Sequence, residues 1–264
     1  MTIAIGVDVG GSGVKVAAVE TSDGKLVSPR IRVLTPIPST PEAVIRVIAR
    51  LVKRTDTAIK LPDAPVGCGA PSVVIEGKTL TAANLDKSWI SFPAVEAMSK
   101  AVKRPVVLAN DADLAGLAEM RFGLGATDPD THKGVVIFLT LGTGVGSALF
   151  NDGVLVPNTE LGHMEIRGRD AERRSAAAAR IRRGLSWKAW TQDLDEHLQA
   201  IDRLFWPRMF IIGGGVSKQG DKFIPRLTCR PPVFAAMLRN EAGIVGAALL
   251  AADQRAQVEV DPDK

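Results

Sequence analysis

The chain has 264 residues, 46% of them hydrophobic and 23% charged, with a formal net charge of +4; this is globular composition, and the length suits one large domain or two modest ones. Its two cysteines, Cys68 and Cys229, lack CxxC spacing, which excludes a disulfide framework and a cysteine-based zinc site and fits a reducing cytoplasm. No apolar run approaches the ~18 residues of a membrane span, and no charged region precedes an apolar N-terminal stretch, so neither a membrane partner nor a secretory signal is expected.

TIAIGVDVGGSGVKVAAVE (2–20) reads as two β-branched runs joined by a glycine-rich turn, the pattern of a β-hairpin. GKLVSPRIRVLTP (24–36) offers a third strand. TPEAVIRVIARLVKRT (40–55) predicts a helix with Thr40 as N-cap, Pro41 at its first position and apolar residues at helical spacing. APVGCGAP (64–71) predicts a short buried strand, SFPAVEAMSKAVK (91–103) a helix, and RPVVLAND (104–111) another strand. The pattern then restarts. KGVVIFLTLGTGVGSALFNDGVLV (133–156) again gives a strand, a glycine turn, a strand and a second turn, and Gly142-Thr143-Gly144 sits in it as Gly10-Gly11-Ser12 sits in the first copy. Two copies of one theme argue for an internally duplicated α/β fold. RMFIIGGG (208–215) is a further strand after a long helical stretch; EAGIVGAALLAADQ (241–254) is a tightly packing last helix, followed by an acidic end, VEVDPDK, expected to fray.

The stretch Asp8-Val9-Gly10-Gly11-Ser12-Gly13 sets a carboxylate at a strand end before residues whose backbone amides can approach an anion. Hairpins also use glycine for a positive φ alone, so the turn by itself leaves both readings open. It lacks the Gly-Lys-Ser/Thr of a Walker A loop, and Gly142-x-Gly144-x-Gly146 lacks the dinucleotide spacing, which disfavours a nicotinamide enzyme.

In ANDADLAGLAE (109–119), Asn110 or Asp111 can cap the helix that follows, and Asp111 can equally serve as a base for a hydroxyl. PNTELGHMEIRGRDAE (157–172) carries Glu160, His163, Glu165 and Glu172, a set that suits the several hydroxyls of a polyol. No cysteine or second histidine is close enough for a zinc motif. Arg167, Arg169, Arg173, Arg174, Arg180, Arg182, Arg183 and Lys188 face only Asp170 and Glu172, an excess that points to an anionic partner or to a solvated helix face.

The Asp-x-Gly-Gly-Ser-Gly hairpin, the Gly-Thr-Gly hairpin and the Gly213-Gly214-Gly215 strand end together resemble the phosphate-1, phosphate-2 and adenosine motifs of the sugar kinase, heat-shock chaperone and actin superfamily. That resemblance implies a duplicated ribonuclease-H-like (actin/hexokinase-type) α/β fold, two lobes around a cleft. The expected boundaries are a small N-terminal lobe over 1–109, with helix 241–254 packing back on it, and a large lobe over 110–240.

DVGGSGVK, TAANLDKSWI, NDADLAGLAE, LTLGTGVGSALF, PNTELGHMEI and FIIGGGVSKQGDKFIP are similar to motifs of the ROK family of sugar kinases and repressors, within it the bacterial kinases that use polyphosphate or ATP. The resemblance covers residues from about 3 to 250. It implies phosphoryl transfer from polyphosphate and/or ATP to the 6-hydroxyl of glucose, with mannose a second acceptor, in a cytoplasmic homodimer. Asp111 is then the general base. Asn84, Asn110, Glu160, His163 and Glu172 join it around the hexose. Asp8, Gly10, Gly11, Ser12, Gly13, Lys15, Thr140, Gly142, Thr143, Gly144, Gly213, Gly214 and Gly215 serve phosphate and nucleotide, and Asp8 organises Mg²⁺ through water.

Three departures from the family pattern matter. RGRDAERRSAAAARIRR (167–183) replaces the cysteine-rich zinc motif that usually follows Glu-x-Gly-His, so no zinc is expected. Ser72 stands where glycine is common. The first strand begins near residue 3, leaving no helix-turn-helix domain before it, so no nucleic-acid partner is expected. The arginine run, with Arg167, Arg169, Arg173 and Arg174 foremost, is read as a polyphosphate track. The competing readings are an ATP-only kinase for another sugar and a non-catalytic sugar sensor.

Overall fold

The computed structural model describes residues 2–238 and 241–260, with side chains through 257. The chain forms two compact units. One comprises the residues up to Ala118 together with those from Glu241 onward, and the other Glu119–Asn240.

In the first unit β1 (Ile3–Gly10), β2 (Gly13–Glu20) and β3 (Ile31–Val33) form an antiparallel meander. Helix α1 (Pro41–Ile59) follows, started by Thr40, whose hydroxyl accepts from the Ala43 amide, and stopped at Lys60 in the left-handed region at φ 57°. Strand β4 (Val66–Ala70) runs parallel to β1. A small hairpin of β5 (Val74–Ile75) and β6 (Lys78–Thr79) and helix α2 (Ala94–Val102) lead to β7 (Val106–Asn110), parallel to β4, and then to α3 (Asp111–Phe122). The sheet order is β3-β2-β1-β4-β7.

Alternation along β1 decides its two faces. Ile5, Val7 and Val9 enter a core with Val44, Ile48 and Leu51 of α1, Met98 of α2 and Trp89. On the opposite face glycine lets the C-terminal helix (Ala242–Val260) lie on the sheet backbone. A Cβ on Gly6 would overlap the Ile244 carbonyl and one on Gly67 the Ala247 carbonyl, while Gly246 of the helix meets Leu114 of α3 in the same way.

The second unit repeats this plan. After α4 (Leu124–Thr127), β8 (Val135–Leu141), β9 (Val145–Asn151) and β10 (Val154–Val156) form the meander. The hairpin β11 (Glu165–Ile166)–β12 (Arg169–Asp170), α5 (Glu172–Ser175), α6 (Ala177–Arg182) and α7 (Trp187–Phe205) come next. β13 (Met209–Gly213) and β14 (Val233–Ala235) then add in parallel beside β8. The order β10-β9-β8-β13-β14 and the strand senses reproduce those of the first sheet. Trp190 and Phe223, edge to face with centroids 5.2 Å apart, join Ile137, Leu198 and Phe210 in this core.

Three differences from the sequence expectations have physical causes. The units divide at Ala118, inside α3, instead of at residue 109, because Leu114 packs against Gly246 of the first unit. The first unit is the larger, since it holds 1–118 plus 241–264 against 119–240. The last helix continues through Val260, so three of the seven residues expected to fray are helical; 261–264 lie outside the described residues.

Candidate functional site

Two carboxylates sit at one edge of the first sheet. Register places Asp8 of β1 beside Gly69 of β4, and Gly69 beside Ala109 of β7, so Asp8 and Asp111 both stand at the carboxyl ends of parallel strands, where α/β sheets bind ligands. Asp8 faces Lys15 across the hairpin, and Lys15 Nζ lies 2.6 Å from Asp8 Oδ2. The start of the C-terminal helix closes on the same carboxylate: a Cβ on Gly243 would stand 3.1 Å from Asp8 Cγ. A hard, half-buried oxygen donor at a strand end fits Mg²⁺ held partly through water.

The turn between these strands needs its glycines for space. A Cβ on Gly11 would lie 3.0 Å from the Asn84 carbonyl oxygen, and one on Gly13 would lie 3.1 Å from the Val33 carbonyl oxygen, so close approach accounts for both positions in place of a left-handed φ. The Thr35 hydroxyl donates to the Gly10 carbonyl at 2.5 Å. Asn84 is exposed on a loop that Gly11 abuts; two residues on, Asp86 accepts from Ser88, and its own amide donates to Ser39 Oγ.

Hydrogen bonds show Asn110 capping α3. Asn110 Oδ1 accepts from the amides of Ala112 at 2.8 Å and Asp113 at 3.2 Å, and its Nδ2 donates to the Ser72 carbonyl at 3.2 Å. Asn110 therefore caps α3 and is buried by that work. Asp111, half-buried, is the first helical residue and lies beside β4: a Cβ on Gly69 would stand in ordinary contact with it, 3.7 Å from Asp111 Cβ. Ser72, the departure from glycine, is buried, and its hydroxyl donates to the Thr81 carbonyl at 2.8 Å, holding the loop that leads to Asn84.

In the second unit, Thr140 of β8 pairs with Gly146 of β9 and Gly213 of β13, so the second and third glycine stretches meet in one sheet. Glu172, at the start of α5, lies against the turn: its Oε2 accepts from the Val145 amide at 2.9 Å, and any Cβ on Gly144 would collide with it. Gly213 is required by the Phe138 ring and Gly214 by its φ of 80°. Gly142 and Gly215 differ, since open space lies in front of both and neither has a left-handed φ, which leaves room for a ligand to reach their backbones. Thr143 is exposed at the tip of its turn.

Glu160 is fixed from both sides by Ser147 of β9, whose hydroxyl donates to the Thr159 carbonyl at 2.7 Å and accepts from the Leu161 amide at 3.0 Å. His163 lies between two carboxylates, 3.7 Å from Glu160 Oε2 and 3.3 Å from Asp170 Oδ2. Burial raises the Glu160 pKa above its usual value; the His163 charge works against the rise and that of Glu172 adds to it. His163, Asp170 and Glu172 also bring one ligand atom each within 4.8 Å of one another, the one metal-type cluster among the described residues.

Sequence reading missed the residue that ties these segments together. His197 of α7 is fully buried, with Nε2 3.0 Å from the Leu161 carbonyl beside Glu160 and Nδ1 2.9 Å from Ser175 Oγ at the end of the helix that Glu172 begins. A lone histidine on the apolar face of an amphipathic helix gives no sequence signal for this.

The arginine run forms a half-open pocket of ≈ 760 Å³ lined by Arg167, Arg169, Arg173, Arg174, Arg182 and Arg183. The run is not uniform, however. Arg180 lies over the Trp187 ring at 4.1 Å and Lys188 does not line the pocket, so these two leave the expected track. Arg174 pairs with Asp193 and Glu196, Arg183 with Asp193, and Arg167 with Glu196.

Two five-stranded sheets of identical order, each with a glycine-rich hairpin at its edge, define the duplicated fold of the actin and hexokinase type. Residues 4–180 match the sequence pattern of the ROK family, and the chain belongs to that family. It is 44% identical over 245 residues to the polyphosphate glucokinase of Mycobacterium tuberculosis, an alignment covering 92% of this chain and 89% of that one. Among solved structures it is similar to the inorganic polyphosphate/ATP-glucomannokinase from Arthrobacter sp. strain KM, with a TM-score of 0.90 and 44% identity over 96% of this chain and 100% of the other. It is similar also to a ROK family glucokinase from Streptomyces griseus solved with glucose and AMPPNP, with a TM-score of 0.79 and 25% identity over 95% and 99%. No helix among the described residues is long and apolar enough to cross a membrane.

Proposed function

We propose that this protein is a cytoplasmic glucokinase that transfers the terminal phosphoryl group of inorganic polyphosphate or ATP to the 6-hydroxyl of glucose, with mannose a second acceptor. The observation that carries the mechanism is the division of labour at the head of α3: Asn110 makes the capping bonds, and the neighbouring carboxylate of Asp111 stands at the carboxyl edge of the sheet beside the strand of Asp8. Asp111 accepts the proton of the 6-hydroxyl as that oxygen attacks phosphorus, a contribution of roughly 10²–10⁴ in rate. Asn84, Asn110, Glu160, His163 and Glu172 orient the hexose.

The remaining work is positioning and charge neutralisation. The backbone amides of 10–13 and those of Thr143 and Gly144 cradle the donor phosphates, Gly142 and Gly215 give them room, and Lys15 exchanges its bond with Asp8 for phosphate. Asp8 would hold Mg²⁺ through water, and the ion, when bound, would supply charge neutralisation on the transferred group. The arginine pocket takes the anionic length of polyphosphate that extends beyond the transferred group, because guanidiniums match successive phosphates bidentately.

The test measures glucose-dependent consumption of polyphosphate, ATP and GTP at matched Mg²⁺. Transfer from polyphosphate and ATP supports the reading; transfer from ATP alone removes the polyphosphate assignment, and no glucose-dependent transfer returns the chain to a sugar sensor. Asp111→Asn is expected to abolish turnover while calorimetry still detects glucose binding. An active Asp111→Asn enzyme would refute the role of that carboxylate.

A further inference from the structure

Asp193 and Glu196 lie one helical turn apart on α7 and share a face. Asp193, with a side chain only 8% exposed, accepts from Arg174 and, at 2.6 Å, from Arg183 Nη1. Glu196 accepts from Arg167 Nε and Arg174 Nη1, both at 2.7 Å. Arg174 is thus gripped by two carboxylates. Arg182 is fixed in another way, donating to the Arg173 carbonyl at 3.0 Å. The guanidiniums of Arg169 and Arg173, both exposed, have no hydrogen-bond or ion-pair partner among the described residues.

Two carboxylates paired to the arginine walls of a pocket for a polyanion oppose its charge, so electrostatics alone argues against them. Their use is geometric. An arginine side chain is long and rich in rotamers, and one held in place before binding loses less freedom when phosphate arrives. We propose that Asp193 and Glu196 are positioning residues that hold Arg167, Arg174 and Arg183 as a preorganised wall, while Arg169 and Arg173 supply the guanidiniums that first engage the phosphates. This rests on reading the pocket as the polyphosphate subsite. It adds a specificity device to that reading: two acidic residues set the preference for polyphosphate over ATP, although neither touches the chain.

The two roles predict opposite signs. If Asp193 and Glu196 were mere counterions, Asp193→Asn and Glu196→Gln would lower the polyphosphate KM, and salt would erase the gain. As positioning residues they raise it, by about five- to thirty-fold relative to the ATP KM, and the rise persists at high salt. Steady-state kinetics with both donors, at low and high ionic strength, measure this ratio in Asp193→Asn, Asp193→Glu and Glu196→Gln, beside Arg169→Ala and Arg173→Ala. The expected result is a raised ratio in the two neutral variants, partly restored in Asp193→Glu. Should Asp193→Asn fail to fold, Glu196→Gln, whose side chain is 29% exposed, carries the test. A ratio unchanged or lowered by the neutral variants, with Arg169→Ala and Arg173→Ala still raising it, overturns the positioning role and leaves the subsite intact. If the two arginine variants leave it unmoved as well, the subsite itself is elsewhere.

Discussion

Replacing His197 by phenylalanine keeps most of the buried volume and removes both ring nitrogens. Nε2 faces a carbonyl and so carries the hydrogen and donates; Nδ1 accepts from Ser175. Neither partner is left bare in the variant. The Ser175 hydroxyl, released from Nδ1, turns its hydrogen to the Ala171 carbonyl 2.9 Å away, and the Leu161 carbonyl still accepts from the Met164 amide at 3.3 Å. The loss of stability is therefore at the modest end for a buried polar residue, about 1–3 kcal/mol.

The pH dependence carries a sign. Burial lowers the His197 pKa from 6.5, against the opposing pull of the Leu161 carbonyl, so the unfolded chain takes up a proton more readily than the folded one. The stability linked to this residue is complete above pH 6.5 and is lost as the pH falls below it. Urea unfolding at a series of pH values should show the wild type weakening on acidification below that point. In His197→Phe the midpoint is lower throughout and this part of the slope disappears. Because Leu161 follows Glu160 and Ser175 ends the helix of Glu172, the glucose KM rises as well. A variant that retains both the wild-type slope and the wild-type glucose KM would refute the reasoning.

Gly6→Ala drives a methyl group into the Ile244 carbonyl, a backbone atom that cannot rotate away, and should cost about 1–3 kcal/mol; an unchanged Tm would refute the close approach. Asn110→Ala removes two capping bonds and the link to Ser72, lowering stability by about 0.5–2 kcal/mol in denaturant, whereas Asn110→Asp keeps the cap and should lose less. The acid limb of kcat/KM for glucose should lie above the ordinary carboxylate range because burial raises Glu160, and activity is lost as it protonates on falling pH. Glu172→Gln removes a neighbour that adds to the rise, so the limb should move to lower pH; a stationary limb would show that another group governs it.

Much of the fold was written in local pattern. Thr40 and Pro41 start α1 where the sequence places them, and the repeated strand–glycine turn–strand theme announces two sheets of equal order. The unit boundary was not legible, because the membership of α3 depends on Leu114 meeting a glycine more than a hundred residues away. Asn110 and Asp111 cap helices about equally well as residue types, so only side-chain geometry separates them. The turn glycines were legible as glycines but not in their reason, since Gly11 answers to Asn84 and Gly13 to the Val33 carbonyl. The arginine run was plain, yet which guanidiniums are already engaged depends on two acids of α7 whose shared face emerges only once the chain folds.

Glu119, fully buried, gathers three backbone amides on one carboxylate: those of Leu124, Met237 and Leu238, at 2.8–2.9 Å. Met237 and Leu238 stand near the end of the segment that Glu119 begins. The second unit is therefore an insertion stapled shut at its own neck, with entry and exit fastened by a single side chain. Such a segment has the anatomy of a transplantable module: its ends are already joined, and a host loop needs only a short gap to receive it.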